Sequence, residues 1–219
     1  MKYGLDCVSP PAPSQAQEMR ELGWEFLGVY VGGPRATSGS TWQQRDGVRH
    51  PVRDIRDAGL DLFLPIYVGR NTPWDAPGSL NFEQGLLDGD DANRCTGTCG
   101  FDGQSPLALD VEAQTYYANR AGCEAYISGW VQQVNAAGHP AGVYSSMECL
   151  SVLDASEIDF KWGAAWSREK FYGRPPVDRF DPATPPPWEL WQFAGGSIAG
   201  VDVDTNSAVD GFTFARYAL

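Results

Sequence analysis

The chain has 219 residues, of which 42% are hydrophobic, and this length suffices for one domain with a sizeable core. Its formal net charge of −12 at pH 7 argues against nucleic acid or an anionic membrane as a partner, because both bind basic surfaces. No hydrophobic run approaches the length that crosses a bilayer, so we expect no insertion into a membrane.

The N-terminus leads directly into the first predicted strand. Met1 is followed by none of the charged, apolar and small-residue segments that together make a signal peptide. We therefore expect a chain that is cytoplasmic at synthesis, that is exported by another route, or that has already lost its leader. Action outside the cell or at the cell wall is compatible with the last two.

Strands and helices alternate along the rest of the chain. The pattern predicts strands at 3–7, 24–31, 60–68, 107–111, 141–145, 161–166, 190–193 and 200–203, and helices at 14–22, 51–59, 82–93 and 123–137. Such alternation implies parallel strands joined by right-handed crossovers, and eight strands fit an α/β barrel of the (β/α)8 TIM type. An open doubly wound sheet is the alternative, but no glycine-rich phosphate-binding fingerprint follows any strand, and we expect no cofactor.

The segment between the sixth and seventh predicted strands lacks a predicted helix. Residues 167–188 contain Arg-Pro-Pro and Pro-Pro-Pro, which favour an extended loop. We therefore expect the barrel to be irregular on this side. No interdomain linker and no internal repeat stands out, so residues 1–219 are expected to form a single barrel domain.

The fourth predicted strand ends in two carboxylates, Asp110 and Glu112. Side chains alternate along a strand, so residues two apart face the same way. Like charges this close raise the cost of ionising both, which leaves one of them better suited to donating a proton. Glycoside hydrolysis uses a pair of this kind, whereas a strand that ends in a solvated acidic turn would show the same two residues.

Other predicted strands also end in acidic, aromatic or amide side chains, and in a barrel these ends share one mouth, where active sites lie. We expect further acidic residues at this mouth, which are Asp6 from the first strand and Asp202 and Asp204 from the last. Asp6 could instead cap the following helix, and Asp202 or Asp204 could organise a turn. We expect the remaining side chains to bind a ligand there, although the tyrosines could be core residues. These are Tyr67, Tyr144, Trp166, Trp191 and Gln192. Eight Trp and nine Tyr residues suit a cleft that stacks against sugar rings.

The cysteines leave two interpretations open. Cys95 and Cys99 belong to Cys-Thr-Gly-Thr-Cys, whose glycine disfavours a helix, so we expect a loop there. We expect at least one of the two to be disulfide-bonded if the protein acts outside the cell, and inert thiols otherwise. His50 and His139 complete no zinc-ligand pattern with them, so no metal is expected. The other three cysteines are Cys7, Cys123 and Cys149.

Five short motifs span nearly the whole chain and together carry a family resemblance. In order, they are Gly4-Leu5-Asp6, Leu109-Asp110-Val111-Glu112, Gly142-Val143-Tyr144-Ser145, Trp191-Gln192-Phe193 and Gly200-Val201-Asp202-Val203-Asp204. Their order resembles that of glycoside hydrolase family 25 lysozymes. The chain is also similar to the related glycoside-hydrolase-like domain family of actinobacteria and their phages.

The resemblance implies a retaining muramidase that cuts the β-1,4 bond between N-acetylmuramic acid and N-acetylglucosamine. It implies that Glu112 is the general acid and that Asp110 assists the N-acetyl group of the substrate or stabilises the positive charge. It also implies that Asp6 and Asp202 line the same pocket. This set is chemically coherent, because a sugar alkoxide needs a proton to leave and the anomeric carbon needs nearby anions.

Three hypotheses for the function follow. The first is a glycosidase that acts on peptidoglycan, and the second is a glycosidase of the same geometry that acts on another glycan. The third is a barrel that binds a cell-wall glycan without cleaving it. The separation and solvation of Asp110 and Glu112 discriminate between them, as does an assay on purified cell walls.

Overall fold

Eight strands close into one barrel, and each strand pairs with its neighbours in chain order. The computed structural model describes residues 1–36, 42–43, 50–71, 75, 77–153, 157–164 and 188–218. The strands are β1 (Lys2–Cys7), β2 (Phe26–Gly32), β3 (Leu62–Val68), β4 (Leu107–Asp110), β5 (Ala141–Ser146), β6 (Phe160–Ala164), β7 (Leu190–Ile198) and β8 (Val201–Ala208). The α-helices in the described ranges are α1 (Pro13–Glu21), α2 (Pro51–Asp57), α3 (Phe82–Thr98), α4 (Ala113–Ala118), α5 (Arg120–Ala136) and α6 (Met147–Val152). The predicted α/β barrel is confirmed.

The strand directions depart from the prediction at the last strand. Strands β1 to β7 run parallel to one another, but β8 is antiparallel to both of its neighbours, β7 and β1. The expectation of parallel pairing throughout is therefore wrong. Only Ala199 and Gly200 join β7 to β8, and both have a positive φ, 52° and 74°. Two such residues close a hairpin, whereas a crossover needs a dozen or more.

Apolar side chains fill the amino-terminal end of the barrel interior. Phe26, Phe160 and Leu190 are the first residues of β2, β6 and β7, and Ala208 is the last residue of the antiparallel β8. All four are buried and belong to one cluster with Leu64. Because this end is filled, the described residues leave the barrel interior open at its carboxyl-terminal end.

Helices α3 and α5 lie side by side on the outside of the barrel with their backbones in close approach. A methyl group at Gly85 would lie 2.2 Å from the carbonyl oxygen of Tyr126, and one at Gly129 would lie 2.2 Å from that of Phe82. Only glycine fits at these two positions. Within the described ranges, no helix is long and apolar enough to cross a membrane.

The cysteines are placed differently from the sequence-based expectation. Helix α3 continues to Thr98, so Cys95 lies in a regular helix and Cys99 is the residue that follows it. The predicted loop is therefore wrong: both side chains are buried, and their burial outweighs the low helix propensity of Gly97. All five cysteines are buried free thiols, as in the interpretation of inert thiols, and the disulfide that we expected for action outside the cell is not formed.

Candidate active site

A pocket opens at the carboxyl-terminal end of the barrel. Its volume is about 170 Å³, and seven of the eight strands, or the residues just after them, contribute to its lining. The lining residues are Tyr30, Ile66, Asp110, Glu112, Tyr144, Trp162, Gln192 and Asp204. The first strand contributes Asp6, which is hydrogen-bonded to Tyr30 behind the lining. The pocket therefore lies where TIM-type barrels carry their active sites.

Asp110 and Glu112 enter the pocket from the end of β4. Asp110 is the last residue of the strand, and Glu112 immediately precedes α4. The side chain of Glu112 is exposed at the rim, whereas Oδ1 of Asp110 is buried and has no hydrogen-bond partner among the described residues. Burial is the largest cause that raises the pKa of Asp110, to about 8, and the neighbouring carboxylates contribute as well. The pKa of the Asp110 carboxyl group therefore lies close to neutral pH, so both its protonated and its ionised form are accessible there.

Asp6 lies behind this pair and is held by three uncharged donors. Its Oδ1 accepts a hydrogen bond of 2.7 Å from the Tyr30 hydroxyl. Its Oδ2 accepts one of 3.2 Å from Gln192 Nε2 and one of 2.7 Å from Asn206 Nδ2. Burial raises the pKa of Asp6, although these three hydrogen bonds oppose the rise. The orientation of the Asp6 carboxyl group is thus fixed from both sides.

Asp204 completes a group of four carboxyl groups, called here the carboxylate cluster: Asp6, Asp110, Glu112 and Asp204. It is paired with Asp6 in the β1–β8 register. Burial is the main cause that raises the pKa of Asp204 to about 7, and the charges of Asp6 and Glu112 add to it. The described lining of the pocket includes no Lys or Arg side chain, so no cation in that lining offsets the cluster.

Two aromatic rings and an amide, on the consecutive strands β5, β6 and β7, form the pocket wall next to β4. The Tyr144 hydroxyl donates a hydrogen bond of 2.6 Å to Gln192 Oε1, and Trp162 Nε1 donates one of 3.1 Å to Asn206 Oδ1. The rings of Tyr144 and Trp162 meet edge to face, with centroids 4.8 Å apart. Because both amide oxygens are engaged in this way, the amide nitrogens of Gln192 and Asn206 face Asp6.

A second and larger cavity, of about 420 Å³, adjoins the pocket along the β7–β8 hairpin. The two cavities share Tyr30 and Asp204. Asp202 lies in this second cavity, exposed and paired across the hairpin with Ser197. The full lining is Asp6, Cys7, Val8, Tyr30, Gly196, Ser197, Asp202, Val203 and Asp204. The two cavities together form an acidic cleft across the barrel mouth.

The structure brings most of the residues singled out from the sequence to this cleft. Asp202 lies in the second cavity, and Asp204, two residues later, is the β8 member of the carboxylate cluster. Trp166 lies outside the described residues. The residues brought together at the first pocket are Asp6, Asp110, Glu112, Tyr144 and Gln192.

Two residues that we expected to bind a ligand are not brought to the pocket. Tyr67 follows Ile66, which faces the barrel interior, so strand alternation turns Tyr67 outward. There its hydroxyl donates a hydrogen bond of 3.1 Å to Asp91. Trp191 precedes Gln192, which lines the pocket, and alternation turns Trp191 outward in the same way. The structure therefore corrects the expectation for both.

Three residues around the carboxylate cluster, Tyr30, Trp162 and Asn206, are not singled out by the sequence analysis. Asn206 could have been found, because it lies two residues after Asp204 and side chains two apart share a face of a strand. Tyr30 lies two residues after Gly28, which is paired with Asp6. That pairing depends on the register between β1 and β2, and no local pattern in the sequence specifies it.

The family profile described as "Rv2525c-like, glycoside hydrolase-like domain" matches residues 17–206. The chain therefore belongs to this family of glycoside-hydrolase-like barrels. No match is found among curated protein sequences. The similarity to glycoside-hydrolase-like domains predicted from the five motifs is confirmed.

Solved structures with the same fold include enzymes of the lysozyme type. The Mycobacterium tuberculosis Tat-secreted protein Rv2525c is 19% identical, with a TM-score of 0.66 over 99% of each chain. A bacterial lysozyme from Streptomyces coelicolor is 16% identical, with a TM-score of 0.56 over 94% of this chain and 91% of that chain. A glycosyl hydrolase 25 of Streptococcus pneumoniae is 13% identical, with a TM-score of 0.61 over 97% of this chain and 88% of that chain. At these identities the similarity establishes the barrel fold.

Proposed function

We propose that this chain is a glycoside hydrolase that cleaves the β-1,4 bond between N-acetylmuramic acid and N-acetylglucosamine in peptidoglycan. The observation that carries the proposal is the carboxylate cluster at the barrel mouth, in which Asp110 and Glu112 follow one strand and Asp6 and Asp204 face them. Membership of a glycoside-hydrolase-like family and a fold shared with lysozymes support it.

In this proposal Glu112 is the general acid, because its side chain is exposed at the rim, where a glycan can reach it. As the bond between the anomeric carbon and the glycosidic oxygen breaks, that oxygen keeps the electron pair and takes the proton of Glu112. The carbonyl oxygen of the substrate's own N-acetyl group then bonds to the anomeric carbon. A water molecule later displaces it and returns a proton to Glu112, so the configuration is retained.

The other carboxyl groups stabilise the positive charge that develops on the sugar ring. Asp110 lies deeper than Glu112, where its ionised form can accept the N–H of the N-acetyl group and offset the charge. Asp6 is fixed by its three donors and Asp204 lies beside it, so both contribute a preorganised negative potential when they are ionised. Tyr144 and Gln192 both line the pocket, where the ring of Tyr144 can pack against the sugar and the Gln192 amide holds Tyr144 and Asp6 in place.

Action outside the cell or at the cell wall belongs to the same proposal. Fold relatives include a Tat-secreted protein and a bacterial lysozyme. Five free thiols would be exposed to oxidants in such a location, but all five are buried. Burial is the main cause that raises the pKa of Cys95 to about 11 and that of Cys123 to about 12, which keeps the reactive thiolate scarce.

The test is the release of reducing sugar from purified peptidoglycan by the wild type and by Glu112→Gln. The substitution is nearly isosteric and removes the titrating proton, so we expect a loss of about 10²–10⁴-fold in kcat with glycan binding retained. Glu83→Gln is the matched control, because Glu83 is an exposed glutamate of α3 that lines neither cavity, and it should keep full activity.

Each outcome of this test decides the proposal. If Glu112→Gln keeps most of the wild-type activity, Glu112 is not the proton donor. If the wild type cleaves another β-1,4-linked glycan but not peptidoglycan, the substrate is wrong while the chemistry stands. If the wild type cleaves neither but sediments with peptidoglycan, the protein is a glycan-binding barrel and not an enzyme.

A further inference from the structure

The side chain of Asn71, in the loop after β3, contacts the backbone of Glu112. Its Oδ1 accepts a hydrogen bond of 3.3 Å from the Glu112 N–H and one of 2.9 Å from the Thr115 hydroxyl. Asn71 is 8% exposed and Thr115 is fully buried. Glu112 is the N-cap residue of α4 and Thr115 lies in its first turn. One amide oxygen therefore fixes the point where the chain leaves β4 and enters α4.

Asn71 is itself held by a carboxylate in the same loop. Its backbone N–H donates a hydrogen bond of 2.7 Å to Asp75 Oδ2, and the Asp75 N–H donates one of 3.1 Å to the Asn71 carbonyl oxygen. The guanidinium of Arg35, from the loop after β2, binds both carboxylate oxygens of Asp75, at 2.7 and 3.1 Å. Such bidentate pairs are directional, so Asp75 and the Asn71 backbone are fixed together.

A second ion pair joins this loop to helix α3. Arg70, next to Asn71, donates to both oxygens of Asp88, at 2.8 and 3.0 Å, and also lies 3.8 Å from Asp75. Asp88 accepts a further hydrogen bond of 2.8 Å from the Tyr126 hydroxyl. The side chains of Asp75 and Asp88 are each only 8% exposed. The anchor network, defined as Arg35, Asp75, Arg70 and Asp88, thus ties Asn71 to two parts of the barrel wall.

We propose that Asn71 is a positioning residue for Glu112 and that the anchor network keeps Asn71 in place. The proposal rests on the proposed function, in which Glu112 is the proton donor. Among the described residues, the hydrogen bond that fixes Glu112 is made by its backbone N–H and none is made to its carboxyl group, so the backbone position sets where the side chain begins. A displacement of about 1 Å at a catalytic group can cost about 10²-fold in rate, so the backbone anchor determines the rate.

The experiment compares Asn71→Leu with the wild type in two measurements. Leucine has a similar size but offers no acceptor, so the Glu112 amide should exchange with solvent at least about 10-fold faster in nuclear magnetic resonance, since its hydrogen bond is lost. In the sugar-release assay, kcat should fall by about 10²-fold while KM changes by less than about 3-fold. Asn71→Asp keeps an acceptor at the same place and should restore the slow exchange.

Asn81→Leu is the matched control. Asn81 is the N-cap residue of α3, and its Oδ1 accepts a hydrogen bond of 2.9 Å from the Gln84 N–H, as Asn71 does for Glu112. It lines neither cavity. We therefore expect Asn81→Leu to lower the melting temperature while the Glu112 amide exchange and kcat stay as in the wild type.

Arg35→Gln provides a second variant if Asn71→Leu does not fold, because Arg35 is partly exposed and, among the described residues, the interaction that it loses is the bidentate pair with Asp75. Arg35→Gln should also speed the exchange of the Glu112 amide and lower kcat, in both cases by less than Asn71→Leu does. Unchanged exchange at the Glu112 amide overturns the anchoring, whether or not the protein is an enzyme. Faster exchange with an unchanged kcat overturns the positioning role. A wild type that releases no sugar refutes the proposed function, and the exchange data still decide the anchoring.

Discussion

Replacing Asp110 by Asn should stabilise the protein at neutral pH. The pKa of Asp110 is raised from an ordinary value of 3.8 to about 8 in the folded state, chiefly by burial. Between these two values the folded state holds a proton that the unfolded state releases, so the free energy of unfolding falls as pH rises through this window. The contribution of Asp110 to the free energy of unfolding is most favourable below about pH 4 and is lost above about pH 8.

The magnitude follows from the size of the pKa difference. One pKa unit corresponds to about 1.4 kcal/mol, so at pH 8 the cost of burying the ionisable carboxyl group of Asp110 is at most about 5 kcal/mol. Asn has no ionisable group and avoids this cost, but its buried amide has polar atoms without partners, which costs about 1–3 kcal/mol. We therefore expect Asp110→Asn to raise the free energy of unfolding by about 2–4 kcal/mol at pH 8 and not to raise it at pH 4. For a chain of this length, 1 kcal/mol corresponds to about 2–4 °C in Tm.

The assay is thermal unfolding of the wild type and Asp110→Asn by calorimetry at pH 4 and pH 8. The Tm of the variant should exceed that of the wild type by about 4–16 °C at pH 8 only. Asp202→Asn is the control, because it removes an exposed carboxylate from the same mouth and should change Tm by less than about 2 °C at both pH values. If Asp110→Asn lowers Tm equally at both pH values, the reasoning is refuted that ionisation of the Asp110 carboxyl group lowers the stability of the fold at pH 8.

Two further predictions concern the thiols and the helix packing. Titration of the denatured, unreduced protein with a thiol reagent should detect five thiols, because all five cysteines are free, and a lower number would contradict the thiol assignment. Gly85→Ala should lower the free energy of unfolding by about 1–3 kcal/mol, because the new methyl group would meet the Tyr126 carbonyl oxygen at 2.2 Å. Gly97→Ala, in the same helix with no atom within 4 Å of the added carbon, should leave stability equal or higher, and equal losses in both variants would argue against the close approach.

The eight strands could be predicted from the sequence because runs of β-formers and turn residues are local signals. The direction of β8 could not, because it depends on how far β7 extends before the chain turns. Gly195 and Gly196 suggest the end of a strand, yet they pair with β8 inside the hairpin. The extension of α3 past Gly97 could not be predicted from the sequence either, because it depends on the burial of Cys95 against other elements.

The candidate site could be predicted where a residue's position at a strand end is enough to place it. The proximity of Asp110 and Glu112 could be predicted from the two-residue period of a strand alone, because residues two apart share a face in any register. Tyr67 and Trp191 were misplaced because their own positions do not say which face of the strand points into the barrel. That choice is made by the closure of the barrel, which puts Ile66 and Gln192 inside.

The two ends of the barrel interior meet opposite requirements. At the amino-terminal end, Phe26, Phe160 and Leu190 fill the space at no electrostatic cost. At the carboxyl-terminal end, the half-buried Asp110 and Asp204 have pKa values raised to about 8 and about 7, so each lowers stability at neutral pH. A barrel that needed only to be stable would have apolar side chains at both ends. If Asp110→Asn both stabilises the fold at pH 8 and impairs sugar release, then this carboxyl group serves the reaction and not the fold, since a structural residue would lose both together.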